Sequence, residues 1–330
     1  MRRHWRLLRR RLLGIVPVLG IVVIGGFLLL EAAPGDAVDA YIAGIGGADA
    51  GQIAALRAEW GLDAGPLARL GAYVSALARL DLGWSVGFNR PVLEVMLERV
   101  GNTLLLMSLA TGLALALGTT IGVVCGARPR SWRDRALSAG AMALYAVPGF
   151  WLALVLIVIF AVDLRWLPVD GMETAASGLT GLARARDMAW HLVLPVASLG
   201  LVYMALYLRL MRDSMVELWP LDFVRAARAR GMPRRRLVLR HVARNALLPV
   251  VTMLGLQSAG MLGGSVVVES VFAIPGLGRL AYEAVLKRDT PLLLGVMLLS
   301  AVLVIVVNLL VDLAYGLLDP RIGSAPNDAA

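Results

Sequence analysis

Three histidines, one cysteine and a single lysine leave this 330-residue chain little material for site chemistry. His4, His191 and His241 lie far apart, each beside an arginine or at the edge of an apolar stretch, and show no metal-ligand spacing. Cys125 is alone, so no intramolecular disulfide and no thiolate cluster can form. A phosphate-binding loop needs Gly-Lys-Ser/Thr, but Lys287 stands between Leu286 and Arg288. The dinucleotide-like stretch from Gly276 to Ala281 follows no soluble strand and reads as a turn beside Pro275. No catalytic and no metal-ligating residues are predicted. What remains is arginine chemistry, concentrated in DFVRAARARGMPRRRLVLRHVARNALLP at 222 to 249.

That segment begins like a short helix, stops at Gly231, and restarts after Pro233. Asp222 is placed as its N-cap, Phe223, Ala226 and Ala227 fall on one face, and Pro233 suits the first turn of the next helix. Alanines on a contact face allow close backbone approach, so the helix could sit in a groove of another protein. Arg225, Arg228, Arg230 and Arg234 to Arg236 would flank it with charge. The competing reading is an interfacial helix whose arginines hold anionic lipid.

The elements around this segment belong to a membrane. Apolar residues make up 59% of the chain, charged residues 17%, and the mean hydropathy is +0.75. The net charge of +9 is gathered into a few loops beside apolar stretches, which argues against nucleic acid as a partner. Uncharged runs long enough to cross a bilayer occur near 12–30, 102–127, 136–162, 188–211, 246–272 and 291–317. Pro148-Gly149 and Pro195 are the expected kink sites, where neighbouring helices must satisfy the freed carbonyls. The first run is too long for a signal-peptide core and is kept as an anchored helix.

Charge sets the orientation. The N-terminus, the turn at 127–135 and the stretch at 209–245 hold 20 Lys/Arg residues, whereas the longer loops on the other side hold 11. Both termini are therefore expected in the cytoplasm. The chain divides into residues 1–101, a transmembrane helix plus an external cap that includes QIAALRAEWGL, and residues 102–330, a five-helix core with a cytoplasmic coupling loop at 213–245. Polar groups within spans are costly in lipid and tend to face a water-filled route. Asn102, Asn245, Gln257, Glu269, Asn308 and Asp312 are the pathway-lining candidates.

The 222–249 segment resembles the cytoplasmic loop of permease subunits in binding-protein-dependent ABC importers, whose signature is Glu-Ala-Ala, three residues, Gly, and later Leu-Pro. Ala226, Ala227, Gly231, Leu248 and Pro249 match, Arg225 replaces the usual Glu, and the spacing to Leu248-Pro249 is longer. Both departures are similar to the peptide-transporting branch. Further matches are APGD at 33–36, LRAEWGLD at 56–63, DLGWS at 81–85, RP at 90–91, VPGFWLAL at 147–154, LPVDG at 167–171, VVVESVFAIPGLGRL at 266–280 and NLLVDLAYGLLDPRI at 308–322. Together they resemble, nearly end to end, the first permease subunit of dipeptide/oligopeptide/nickel importers.

The resemblance implies an all-α membrane protein with the type I ABC importer fold, six transmembrane helices and both termini inside, in the bacterial plasma (inner) membrane. It implies a second, homologous permease, two ATP-binding subunits that hold ATP and Mg, and a periplasmic or lipid-anchored substrate-binding protein. Coupling to the ATPases would fall to Asp222, Phe223, Arg225, Ala226, Ala227, Gly231, Pro233, Leu248 and Pro249. No cofactor is expected in this chain, and it is not expected to be an enzyme. Dipeptides and oligopeptides are the leading substrates it implies, with nickel chelates, glutathione and some sugars as alternatives. An ion-gradient-driven transporter and an intramembrane enzyme are the readings from other classes.

Overall fold

The computed structural model describes residues 17–29, 31–32, 35, 38–39, 41–42 and 46–318. The N-terminal arginines, His4, the ends of the first predicted span, most of the APGD match and the final DPRI lie outside the described residues. The chain forms two compact units, one from Met1–Asn102 with Gly276–Ile305 and the other from Thr103–Pro275 with Val306–Ala330.

The first unit contains the apolar helix α1 (Pro17–Leu29) and the short helices α2 (Ala50–Glu59) and α3 (Pro66–Ala78). Asp49 caps α2 reciprocally with Gln52: the Gln52 amide donates to Oδ1 at 2.8 Å, and the Asp49 amide donates to Gln52 Oε1 at 3.2 Å. The predicted amphipathic piece is thus helical, although α2 buries none of its residues. A two-stranded antiparallel hairpin, β1 (Trp84–Ser85) and β2 (Arg90–Pro91), leads into the long helix α4 (Val92–Ala127). Buried Asp289 accepts from Ser85 Oγ at 2.5 Å and the Gly87 amide at 2.9 Å, which ties the hairpin to the residue preceding the last span.

The second unit holds the remainder of α4, α5 (Trp132–Ala146), α6 (Gly149–Leu156) with a π-helical continuation to Asp163, and α7 (Gly181–Leu218). Then come α8 (Asp222–Ala229), the three-residue α9 (Arg234–Arg236) with a π-helical turn at Leu237–Val242, and α10 (Ala243–Val271). The first unit is completed by α11 (Leu277–Leu286) and the start of α12 (Thr290–Leu318). Gly276 caps α11 rather than lying in an open turn, so the dinucleotide-like stretch is the beginning of a helix.

Among the described residues, four helices are long and apolar enough to cross a bilayer: Val92–Ala127, Gly181–Leu218, Arg234–Gln257 and Thr290–Val311. The stretch predicted as one kinked span at 136–162 is two helices, α5 and α6, inclined by 100° and broken at the predicted Pro148-Gly149. The break has a local cause: Val147 precedes Pro148 and is pushed to extended backbone, φ −78° and ψ 130°, which ends α5. Pro195 and Pro249 remain inside α7 and α10.

The tightest packing in the second unit joins α4 to α7. A Cβ at Gly118 would lie 2.7 Å from the Met204 carbonyl, one at Gly122 2.7 Å from Met211 Cβ, and one at Gly126 2.8 Å from Met215 Cβ. Glycine every fourth residue strips one face of α4 so that the α7 backbone can come against it. In a bilayer, where lipid tails are as apolar as the side chains, such close contact is a main source of helix association.

Candidate functional site

The 222–249 segment folds as two helical pieces around a glycine. Leu221 is the N-cap of α8, with φ −73° and ψ 150°, so the expected cap shifts by one residue and Asp222 occupies the first turn. Its carboxylate there complements the helix dipole and lies 3.7 Å from the Arg225 guanidinium, both strongly exposed. At the other end Gly231 adopts φ +74°, the Gly231 amide donates to Arg228 O at 3.0 Å and the Met232 amide to Ala227 O at 3.3 Å. This is a Schellman termination, which favours glycine because the left-handed position carries no Cβ penalty. Pro233 then caps α9.

The contact face differs from the predicted one. Val224 and Ala227 are 0% exposed and pack with Met215, Leu237 and Val242 in the chain's own core. Phe223, 38% exposed, and Ala226 point outward, and exposed Arg230 follows a turn later. Ala227 is therefore committed inward, and the outward surface is Phe223, Ala226 and Arg230 at i, i+3 and i+7. The sequence reading missed Val224 because any face drawn through Phe223 excludes its neighbour.

Three contacts anchor this segment. Trp219 Nε1 donates to Gly126 O at 2.8 Å and Arg234 to Ala127 O at 2.8 Å, supplying donors to the carbonyls left free at the C-terminus of α4. The Arg228 guanidinium stands 5.8 Å over the Trp219 ring. Nearby, Arg212 near the end of α7 grips Asp134 in the first turn of α5 with two bonds, Nε to Oδ1 at 2.7 Å and a terminal nitrogen to Oδ2 at 2.9 Å. Asp134 is 2% exposed and also accepts from the Arg130 amide at 2.8 Å. Neither residue stood out in the sequence. The only signal was one acid, Asp134, in a turn otherwise carrying four arginines.

The remaining predicted residues disperse. Leu248 is half-buried and Pro249 exposed, both within α10, where Pro249 has no amide hydrogen to offer the Asn245 carbonyl. Asn245 Nδ2 donates to His241 O at 2.6 Å. Asn102 lies half-buried in α4. Glu269 is fully buried and accepts from Thr103 Oγ1 at 2.7 Å, a structural cross-link between α10 and α4. Asn308 Oδ1 lies 2.8 Å from where a Gly255 Cβ would sit. Gln257 is half-buried at the middle of α10. The Asp312 side chain lies outside the described residues. His191 Nδ1 is 2.9 Å from Asp187 O, and Ser198 donates to Pro195 O at 2.9 Å, each bonded within its own helix. Among the described residues no three His, Cys, Asp or Glu side chains gather as a metal site.

Comparison with known proteins matches this arrangement to transport subunits. The model of the family described as binding-protein-dependent transport system inner membrane component matches residues 118–324. A Brucella ovis protein with a peptide-permease name is 38% identical over 316 residues, covering 96% of this chain and 98% of its own. The oligopeptide transport system permease protein AppB of Bacillus subtilis is 37% identical over 318 residues, with the same coverages. A solved structure of the inward-facing MetNI methionine ABC transporter is similar in fold, with a TM-score of 0.56 at 18% identity, over 68% of this chain and 96% of that one.

Proposed function

The chain belongs to the family of binding-protein-dependent transport system inner membrane components, and on that premise we propose that it is the permease of an ATP-driven peptide importer. The names of the relatives from Brucella ovis and Bacillus subtilis support the peptide substrate. The basic loops support a multi-pass topology in the bacterial inner membrane with six spans and both termini in the cytoplasm. Residues 1–101 then supply the first span and an external cap, and residues 102–330 the transport core.

The observation that carries the reading is α8: its inner face is locked into the chain by Val224 and Ala227 while Phe223, Ala226 and Arg230 remain outside. A short helix closed at Gly231 and held this way is a rigid knob for a partner's groove. The partners are a pair of ATP-binding subunits, which hold ATP and Mg, with a second permease to close the pathway and a binding protein to deliver substrate. When nucleotide draws the ATPases together, their movement passes through α8 and the residues that flank it, Trp219 and Arg234, into the end of α4, which they hold through Gly126 O and Ala127 O.

The test is Phe223→Asp and Ala226→Glu in the assembled complex. Uptake is lost and the loaded binding protein no longer stimulates ATP hydrolysis, while the permease still inserts and melts normally. Unchanged coupling and uptake in both variants would refute this role for α8. An ion-gradient mechanism predicts instead that uptake survives removal of the ATPases.

A further inference from the structure

We propose that Tyr203 and Gln257 form a neutral hydrogen-bonding niche, at mid-depth in the membrane, that holds main-chain amides of a peptide in transit. The proposal rests on the peptide-importer reading above and adds to it the groups that meet the substrate. Tyr203 comes from α7 and Gln257 from α10, and they converge on Gly260. The point where a Gly260 Cβ would sit is 3.3 Å from Gln257 Oε1 and 3.5 Å from the Tyr203 hydroxyl. The same hydroxyl is 3.5 Å from the corresponding point at Gly264. Both side chains are half-buried, whereas Gly260 itself is exposed.

Depth makes these groups informative. Gln257 is the middle residue of α10, which continues past the Arg234–Gln257 stretch to Val271, and lies close to the centre of the apolar run at 246–272, while Tyr203 is near the middle of α7. Neither side chain has a hydrogen-bond partner among the described residues. An amide and a phenol left unpaired against hydrocarbon are strongly disfavoured, so polar side chains at this depth face water or a ligand. Lipid tails could not satisfy them.

The chemistry of the niche selects the ligand. No charged residue occurs in α10 between Arg244 and Glu269 or in α7 between Asp187 and Arg209, so these two helices offer no counter-ion there to a carboxylate or an ammonium. A phenol and a carboxamide each donate and accept, as do the N–H and C=O of a peptide main chain. Glycine at 260, and open space around Gly263 with nothing within 4 Å, leave room for a main chain to approach. The arrangement reads the feature that peptides share and ignores what distinguishes them, as a pathway downstream of a selective binding protein requires.

The experiment uses the full complex in proteoliposomes with its binding protein. Wild-type complex is assayed first; failure to take up any peptide that the binding protein holds overturns the peptide reading and the niche with it. Where wild type imports peptide, Tyr203→Phe with Gln257→Leu lowers peptide imported per ATP hydrolysed by about tenfold, the effect of two neutral hydrogen bonds. Stimulated ATPase rate and melting temperature stay near wild type. Unchanged import overturns the niche alone, as does loss of the second permease on purification, which would mean that these groups seal a subunit interface. In a Cys125→Ala background, Gly260→Cys is modified by a hydrophilic methanethiosulfonate, and turnover with peptide slows the modification. A thiol that stays unmodified, or is modified equally fast with peptide, overturns the niche as well.

Discussion

Replacing Gly122 by alanine should push α4 away from α7, and the structure sets the size of the effect. The new Cβ would lie 2.7 Å from Met211 Cβ and 2.8 Å from Leu208 O, distances that a real Cβ does not tolerate. One neighbour is backbone and the other the first side-chain atom, so no rotamer change relieves the clash and the helices must separate. Overpacking of this kind costs about 1–3 kcal/mol. Against it stands a gain of about 0.5–1 kcal/mol from replacing glycine within a helix. Gly112, on the same helix with nothing within 4 Å of its Cβ position, isolates the second effect. Thermal unfolding of the purified complex in detergent should therefore show Gly112→Ala neutral or stabilised and Gly122→Ala destabilised, a gap of about 2 kcal/mol or a few degrees. Adding Met211→Ala should not restore stability, because the Cβ and the carbonyl remain. Equal melting of the two alanine variants would refute the claim that the glycine stripe sets the α4–α7 distance.

Asp134→Leu alone strands Arg212 beside an apolar side chain and should cost about 3 kcal/mol, at the low end for a broken buried pair because Arg212 keeps some solvent and Asp213. Asp134→Leu with Arg212→Met should recover most of it, and a double-mutant cycle on melting temperature measures the difference. Gly231→Ala meets no atom within 4 Å, so its cost should be only the left-handed backbone at φ +74°, about 1–2 kcal/mol, with Gly231→Asn milder. Trp219→Phe keeps an aromatic ring under Arg228 but removes the donor to Gly126 O, and should lower uptake per ATP while leaving ATP hydrolysis stimulated. Equal loss of both activities would point to misfolding rather than slack coupling.

The sequence carried the membrane class, most of the spans and the helix–glycine–helix form of the coupling segment, because each depends on local periodicity and capping. Gly231 is an example: a glycine three residues past a basic turn needs nothing distant to end a helix. Most of the failures are decisions made by distant partners, the size of the bend at Pro148 being a local one. Which of Ala226 and Ala227 faces inward depends on Met215 and Val242, and periodicity alone gives a face but not its direction. The single span drawn through 136–162 counted apolar residues correctly, but a proline after an extended valine turned the chain by 100°. Glu269 looked like a pathway group because it is a carboxylate in a span, and only the fold shows Thr103 against it. Conversely, Gly118, Gly122 and Gly126 were visible as a four-residue repeat, but a repeat of small residues becomes a contact only when the partner helix is known.

These contacts also explain why so basic a segment can act as a rigid part. Of the eight arginines between Asp222 and Pro249, Arg234 is spent on the end of α4 and Arg228 on Trp219, and both serve to fix the helix rather than to meet a partner. The carbonyls that Arg234 and Trp219 reach close the same α4 whose glycines press on α7, and Arg212 near the end of α7 holds α5 through Asp134. A displacement applied at Phe223 and Ala226 is therefore passed to close-packed backbone and bidentate ion pairs, not absorbed by flexible side chains. The arginine at 225 sits on the exposed side and takes no part in this anchoring beyond its long contact with Asp222. It is thus free to set the charge of the docking face. That face is cationic around one apolar residue, so the coupling role proposed for α8 predicts a receiving surface with carboxylates at the rim of an apolar pocket.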